Sequence, residues 1–201
     1  FYVIDLVDFE LVPPPLPCPP DALPVTEFGA TADDGADDTA ALRKCVAEAK
    51  KQGKKVYIPR GVFRQDGILE LDNVTVCGAG MWHSTLMTHV LPSDKGPWNG
   101  NLGFRLAGRN IRVSDLHVIG FSRRRGKPFQ RGVVGSGENF ELRNLWIERC
   151  GVGIWIGNCR DGVIRNCRFR NNKADGINVN NNSHRVLIEN CHARGNGDDS
   201  F

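Results

Sequence analysis

The fold is decided by three stretches near the end of the chain that can be aligned with one another: ELRNLWIERCGVGIWIG (141–157), VIRNCRFRNNKADGINV (163–179) and LIENCHARGNGDDSF (187–201). With Asn144, Asn166 and Asn190 in register, the steps are 22 and 24 residues. Each repeat holds only short strands of about three to five residues, which fits neither a helical repeat nor a four-stranded propeller blade. The period predicts one turn of a parallel β-helix per repeat, with inward side chains buried between coils.

Apolar residues recur in the same columns of the alignment. The predicted columns are Leu142/Ile164/Ile188, Leu145/Cys167/Cys191, Ile147/Phe169/Ala193 and Trp155/Ile177/Phe201. RVSDLHVIG (112–120) joins as an earlier coil, and VTVCGAG (74–80) fits more loosely. Twelve of the sixteen asparagines lie in the last 63 residues. Asparagine tolerates left-handed backbone and can stack in ladders, as the turns of such coils require.

The N-terminal part reads differently. Residues 12–24, VPPPLPCPPDALP, hold seven prolines and predict a stiff connector, preceded by a lead-in strand in residues 1–10. We therefore expect two units, 1–24 and a β-helix over 25–201. A helix is expected near 38–51, with Asp38 as N-cap and Gly53 as its stop. The predicted fold is an all-β parallel β-helix (solenoid) with a short N-terminal capping helix.

Composition excludes several classes of protein. The 26 Lys and Arg against 23 Asp and Glu give a net charge of +3, too balanced for a dedicated nucleic-acid binder. No run of 18 uncharged apolar residues suggests a membrane span. The seven cysteines show no spacing typical of zinc ligands, and small buried core residues are favoured over a disulfide framework.

Three carboxylates form the candidate catalytic cluster. Stacked coils lie about 4.8 Å apart, and a step of 24 residues puts Asp175 of KADGIN beside Asp199 of NGDDSF, with Asp198 next to it. Carboxylates this close repel one another, so one is expected to keep its proton. A proton donor beside carboxylates that activate water is what glycosidic hydrolysis requires. Ordinary turn chemistry and a calcium site made by the same oxygens remain alternatives.

A family resemblance adds to this interpretation. VTEFGATADDGADDTAAL (25–42), followed by VYIPRGVF (56–63), resembles the cap and first coil of the right-handed, pectate-lyase-like β-helix superfamily. GAGMWHSTL (78–86), LWIERCGVGIWIG (145–157), KADGINV (173–179) and ARGNGDDSF (193–201) are similar to the mycodextranase and α-1,3-glucanase family of glycoside hydrolases.

The resemblance implies an inverting hydrolase of α-1,3-glucan or mixed α-1,3/α-1,4-glucan, with Asp175, Asp198 and Asp199 as the catalytic residues. Asp198 would be the acid, and Asp175 and Asp199 would hold the water, although an exchange of roles stays open. The resemblance also implies a secreted, extracellular monomer that acts on polysaccharide, without nucleic acid or membrane as partner. No cofactor is expected, with structural calcium possible. Relatives continue for further coils, so the chain is expected to be truncated at its C-terminal end.

Two alternative functions remain from the sequence. A polygalacturonase-like pectin hydrolase has a similar Gly-Asp-Asp motif, but Ala174 precedes Asp175 here where threonine is usual. A β-helix that binds polysaccharide without cleaving it is the non-enzymatic alternative.

Other residues are candidates for substrate contact. Trp155 could stack on a sugar ring, although its predicted inward column favours burial, and Asn178 could bind a sugar hydroxyl. Trp82, Trp98 and Trp146 could also stack on sugars. The basic run FSRRRGKPFQRG (121–132) is expected to be a solvated loop, with contact to an anionic polysaccharide as the alternative. TADDGADDT (31–39) superficially suggests calcium, but its oxygen spacing does not match a twelve-residue calcium loop.

Overall fold

The computed structural model describes residues 9–90, 102–125 and 130–201. Within these ranges the chain forms one α-helix, α1 (Thr39–Gln52), and sixteen strands. The strands are β1 (Ala22–Pro24), β2 (Lys55–Ile58), β3 (Gly61–Arg64), β4 (Leu69–Leu71), β5 (Thr75–Gly78), β6 (Ser84–Met87), β7 (Phe104–Leu106), β8 (Arg109–Ile119), β9 (Arg131–Gly135), β10 (Glu138–Glu148), β11 (Val152–Gly157), β12 (Arg160–Arg165), β13 (Arg168–Arg170), β14 (Ile177–Asn180), β15 (His184–Glu189) and β16 (His192–Arg194).

The strands wind into the predicted right-handed parallel β-helix. All strand pairs in the described ranges are parallel, and they form an eleven-stranded sheet and a five-stranded sheet. The larger sheet follows the order β1-β2-β5-β8-β10-β12-β15, and the smaller the order β14-β11-β9-β7-β4. Each coil therefore passes along the larger sheet, turns, and crosses the smaller sheet before it returns.

The register agrees with three of the four predicted columns. Leu142 pairs with Ile164 and Ile164 with Ile188, while Ile147 pairs with Phe169. The fourth column is wrong by one residue, because Ile154 pairs with Ile177 and Trp155 pairs with Asn178. Ile154 and Ile177 are buried, whereas Trp155 is partly exposed. Trp155 thus belongs to the outward side of the coil.

Asparagine ladders form the bends between consecutive strands, as the composition indicates. Asn144, Asn166 and Asn190 all have positive φ, near 50°. The Asn190 side-chain amide donates to Asn166 Oδ1 at 2.7 Å, and the Asn144 amide donates to Asp115 Oδ1 at 2.8 Å on the coil before. The ladders satisfy side-chain amides along the axis while the backbone adopts the left-handed bend.

The core is a continuous column of apolar side chains inside the coils. Phe63, Phe104, Phe140 and Phe169 are its largest fully buried members. All seven cysteines are free thiols, and four of them are buried in this column, as favoured by the sequence: Cys45, Cys150, Cys159 and Cys167. Burial raises the pKa of Cys45 and of Cys150 to about 12, so these two thiols remain protonated at neutral pH.

Helix α1 packs against β1, β2 and β4 and covers the first coil with Leu42, Cys45 and Ala49. It ends at Gly53, which has the left-handed conformation that the sequence predicts. Asp38 precedes the helix but its side chain makes no capping hydrogen bond, because its two oxygens accept the backbone N–H groups of Thr31 and Arg64. Among the described residues, no helix has the length and apolarity needed to cross a lipid bilayer.

The proline-rich segment lies along the outside of the larger sheet. Its end forms β1, which pairs with β2. Upstream, Tyr57 donates to the Leu16 carbonyl at 2.7 Å, and a ring nitrogen of His83 lies 2.8 Å from the Pro13 carbonyl oxygen. Most of the lead-in strand predicted for residues 1–10 falls outside the described residues, and so does Trp98.

Candidate active site

The turn that carries Asp175 has one residue more than the turn below it. Ile147 pairs with Phe169 at a step of 22 residues, whereas Ile154 pairs with Ile177 at a step of 23. The additional residue therefore lies between β13 and β14. This shift places Asp175 over Val152 and Gly176 over Gly153, whereas the sequence alignment had put Gly153 at the position of Asp175.

The structure brings the three aspartates together. One carboxylate oxygen from each of Asp175, Asp198 and Asp199 lies within 4.8 Å of the others. Asp175 is 8% exposed, while Asp198 and Asp199 are exposed. The cluster thus has one carboxylate at the wall of the coil and two that face solvent, which leaves room for a substrate.

Backbone hydrogen bonds between the last two coils hold this arrangement. The Gly176 N–H donates to the Asp199 carbonyl at 2.9 Å, and the Ile177 N–H donates to the Ser200 carbonyl at 3.2 Å. A Cβ on Gly176 would lie 2.5 Å from the Ser200 oxygen. Glycine is required here because any side chain would push the two coils apart and separate Asp175 from Asp199.

Asn178 orients the Asp175 carboxylate. Its Nδ2 donates to Asp175 Oδ2 at 2.7 Å, and its Oδ1 accepts from Asn180 Nδ2 at 3.0 Å. Both ends of the Asn178 amide are therefore engaged within the protein. The sequence predicted a sugar contact for Asn178, whereas the structure shows a contact with a candidate catalytic carboxylate.

Trp155 lies beside Asn178 on the neighbouring coil, so it borders the cluster. The guanidinium carbon of Arg131 lies 4.4 Å from the Trp155 ring centroid, in a cation–π arrangement. Arg131 is 5% exposed, and its pKa is lowered first by burial and then by the neighbouring charge of Arg105. Arg131 ended the predicted basic loop, but it is the first residue of β9 and supports the indole.

Arg125 is the residue of the basic run that reaches the cluster. Its Nη2 donates to Asp198 Oδ2 in an ion pair across 73 positions of the sequence. Arg123 lies over the Phe121 ring, with 5.3 Å between the guanidinium carbon and the ring centroid. Lys127 falls outside the described residues. The pairing of Arg125 is invisible in the sequence because neither residue belongs to a local motif that contains the other.

The calcium alternatives can be compared with the contacts in the structure. Three carboxylate oxygens within 4.8 Å could approach a cation, but at Asp198 the Arg125 guanidinium already supplies a positive charge. In the stretch 31–39, Asp37 and Asp38 use their oxygens on backbone N–H groups of Thr39, Thr31 and Arg64. Those carboxylates have a structural role in the cap.

Trp82 and Trp146 lie in an aromatic cluster on the larger sheet and contact one another. Their ring centroids are 4.9 Å apart in an edge-to-face arrangement. His117 stacks on Trp146 at 4.6 Å, and Arg170 lies 5.1 Å from the Trp146 centroid. Arg168 lies 5.0 Å from the Trp82 centroid. These contacts occupy the surfaces that a sugar would need, so both rings have a packing role.

Comparisons with known proteins agree with the fold and with the placement of the cluster. The sequence profile of the α-1,3-glucanase catalytic domain D2 family matches residues 34–201. The catalytic unit of a thermostable GH87 α-1,3-glucanase from Streptomyces thermodiastaticus strain HF3-3 is 31% identical, with a TM-score of 0.83 over 96% of this chain and 34% of that chain. The Agl-KA catalytic domain is 28% identical, with a TM-score of 0.80 over 95% of this chain and 35% of that chain.

A viral protein is also similar. The pre-neck appendage protein of Bacillus phage phi29 is 29% identical over 192 residues, which cover 88% of this chain and 21% of the phage protein. The chain therefore spans about a third of the solved glucanase structures and about a fifth of the phage protein. The family profile, by contrast, covers most of this chain. With three clustered aspartates on a parallel β-helix, the chain belongs to the family of α-1,3-glucanase catalytic domains, whose solved members are glycoside hydrolases of family GH87.

Proposed function

We propose that this chain carries the catalytic centre of a glycoside hydrolase that cleaves α-1,3-glucosidic bonds in α-1,3-glucan or mixed α-1,3/α-1,4-glucan. The observation that carries the proposal is the clustering of Asp175, Asp198 and Asp199 within 4.8 Å on an open face of the coils. Related GH87 catalytic domains have been solved in complex with nigerose and with tetrasaccharides. Those ligands support a glucan as the substrate class.

The three carboxylates can divide the reaction between them. A protonated carboxyl donates its proton to the glycosidic oxygen as the bond from that oxygen to the anomeric carbon breaks. A water molecule attacks the same carbon, and a carboxylate accepts the proton that this water loses. Two oxygens no more than 4.8 Å apart can both hydrogen-bond one water at about 2.8 Å. No cofactor is needed for these steps, and we propose none.

We assign the acid role to Asp198 and the water-holding role to Asp175 and Asp199. Asp175 is fixed by Asn178, which suits a group that must hold a water in one position. Asp198 is exposed, which suits a group that must reach the leaving oxygen. Trp155, beside Asn178 on the next coil, is proposed to contact the sugar through the surface that Arg131 does not cover.

The proposal includes inversion at the anomeric carbon. The cluster is tighter than the separation of about 6.5–9.5 Å that is usual between the two carboxyls of inverting enzymes, so stereochemistry needs its own measurement. NMR of the first-formed product from an α-linked glucan should show the β-anomer. An initial α-anomer would show retention and would contradict the assignment of Asp175 and Asp199 to a shared water.

Release of reducing ends from insoluble α-1,3-glucan tests the activity. We expect release by the wild-type chain and a loss of at least about a hundredfold in Asp199→Asn, because general acid–base catalysis contributes about 10²–10⁴-fold. The amide is nearly isosteric, so the circular dichroism spectrum should stay unchanged. Full activity of Asp199→Asn would exclude the mechanism, and release from polygalacturonate instead of glucan would favour a pectin hydrolase.

A polysaccharide-binding β-helix without hydrolysis is the second candidate. The similarity to a phage pre-neck appendage protein favours it, since that protein is not described as an enzyme by its name. Binding to insoluble α-1,3-glucan without any release of reducing ends would support this candidate. We further propose that the protein acts outside the cell as a secreted monomer.

A further inference from the structure

The loop that contains Arg125 begins far from the aspartates in sequence but ends beside them. It connects β8 to β9, three coils before the coil that carries Asp198. At about 4.8 Å per coil, the loop has to cover about 14 Å along the axis. Its exposed arginines therefore lie along the same side of the β-helix as the cluster.

The two ends of this loop are fixed by one buried side chain. Gln130 is fully buried, and its Oε1 accepts the Phe121 N–H. Its Nε2 donates to the Val90 carbonyl at 2.8 Å, and its own carbonyl accepts the Gly151 N–H at 2.8 Å. A loop anchored in this way can present Arg125 at a defined place.

The carboxylates of the cluster are held by different devices. Asp175 receives a hydrogen bond from Asn178, whereas Asp198 receives one from Arg125. The Asp198 side chain is 38% exposed and, within the described part of the chain, Arg125 is its sole side-chain partner. Without that partner, repulsion from Asp175 and Asp199 would favour rotation of Asp198 into water. Arg125 contacts Oδ2 and leaves Oδ1 for the substrate.

We propose that Arg125 is a positioning residue for the hydrolysis, which acts by holding the Asp198 carboxylate toward Asp175 and Asp199. This role rests on the proposed function. It concerns the chemical step and not the capture of the sugar chain, because Arg125 acts through Asp198. Loss of Arg125 should therefore lower kcat and leave KM nearly unchanged.

The test compares Arg125→Ala, Arg125→Lys and Arg124→Ala in the full chain, with soluble α-1,3-linked oligosaccharides as substrate. Arg124→Ala is the matched control, since it removes one positive charge from the neighbouring position of the same loop. We expect kcat to fall about tenfold or more in Arg125→Ala, with KM within about twofold. Arg125→Lys should recover part of the loss, because an ammonium can also pair with the carboxylate. Added guanidinium ion at millimolar concentration should partly rescue Arg125→Ala but not Asp198→Asn.

Each outcome decides. An Arg125→Ala enzyme with unchanged kcat, or equal losses in Arg124→Ala and Arg125→Ala, would overturn the role while the proposed function stands. A change confined to KM would make Arg125 a substrate contact and would also overturn it. A wild-type chain that releases no reducing ends would remove the proposed function, and the role of Arg125 with it.

Discussion

At the scale of single residues, the position of each carboxylate depends on a neighbour that performs no chemistry. Asn178 and Asn180 form a short chain of amide hydrogen bonds that ends on Asp175. Gly176 permits the close approach of the two coils that carry the aspartates. The identity of the catalytic candidates therefore accounts for only part of the site, because the surrounding small and amide side chains set its geometry.

Replacing Asn178 by alanine tests this dependence. The Asp175 carboxylate would lose its 2.7 Å hydrogen bond, and small displacements of catalytic groups can cost about a hundredfold in rate. We expect kcat to fall about tenfold to a hundredfold, with an unchanged melting temperature. Equal activity of Asn178→Ala and wild type would show that Asp175 needs no orientation by this amide. Asn182→Ala, an exposed asparagine after β14, is the matched control and should retain full activity.

At the scale of elements, the ladders of asparagine at the bends have two separable contributions. Asn166 has φ near 55° and accepts a hydrogen bond from Asn190 at 2.7 Å. Glycine at this position would keep the left-handed backbone and lose only the side-chain contact, whereas alanine would lose both.

We therefore expect Asn166→Ala to lower the free energy of unfolding by about 1–2 kcal/mol and Asn166→Gly to lower it less. Chemical denaturation of the two variants measures the difference. An alanine variant as stable as the glycine variant would mean that the backbone conformation is not the reason for asparagine at this bend.

The pairing of strands β8 and β10 includes an ion pair that should respond to pH. His117 Nε2 lies 3.3 Å from Glu148 Oε1, and the hydrogen bond from His117 is the main cause that lowers the pKa of Glu148 in the folded protein. A carboxyl whose pKa is lowered on folding stabilises the protein above its unfolded pKa, and the contribution disappears as pH falls through the folded value.

Glu148→Gln should thus be less stable than wild type at pH 6, and the difference should shrink below about pH 4.5, the ordinary range of a glutamate. Denaturation at pH 6 and pH 3.5 gives the comparison. The same stability difference at both pH values would contradict an electrostatic contribution from this pair.

At the scale of the whole molecule, the N-terminal segment ties distant coils together from outside. It contacts the first coils through Leu16 and Pro13 and reaches β13 through Glu10, whose carboxylate accepts two hydrogen bonds from Arg168 at 2.5 and 2.6 Å. The segment is extended, as its prolines predict, and such a conformation lets a few residues cross several coils.

Glu10→Ala should have a small effect, since Glu10 is largely exposed and exposed ion pairs contribute about 0–1 kcal/mol. We expect the melting temperature to change by no more than a few degrees, with unaltered activity. Differential scanning fluorimetry and the reducing-end assay check both points. A large loss of activity would indicate that the segment supports the site, which lies on another face of the coils.

The sequence by itself determined the coil architecture, since a repeat of 22 to 24 residues with apolar columns and recurring asparagines has few structural solutions. It also singled out Asp175, Asp198 and Asp199, because the same repeat stacks their positions. It misplaced Trp155 by one residue, since an additional residue in the turn before β14 shifts the register and leaves the apolar pattern almost unchanged.

The tertiary structure alone decided which side chains surround the carboxylates. Arg125 meets Asp198 across 73 positions, and the amide of Asn178 turns toward Asp175. Such contacts depend on the path of a long loop and on side-chain rotamers, which no periodicity encodes. A repeat fixes distances along the axis of the β-helix, whereas contacts around a turn depend on the three-dimensional packing of segments that belong to different repeats.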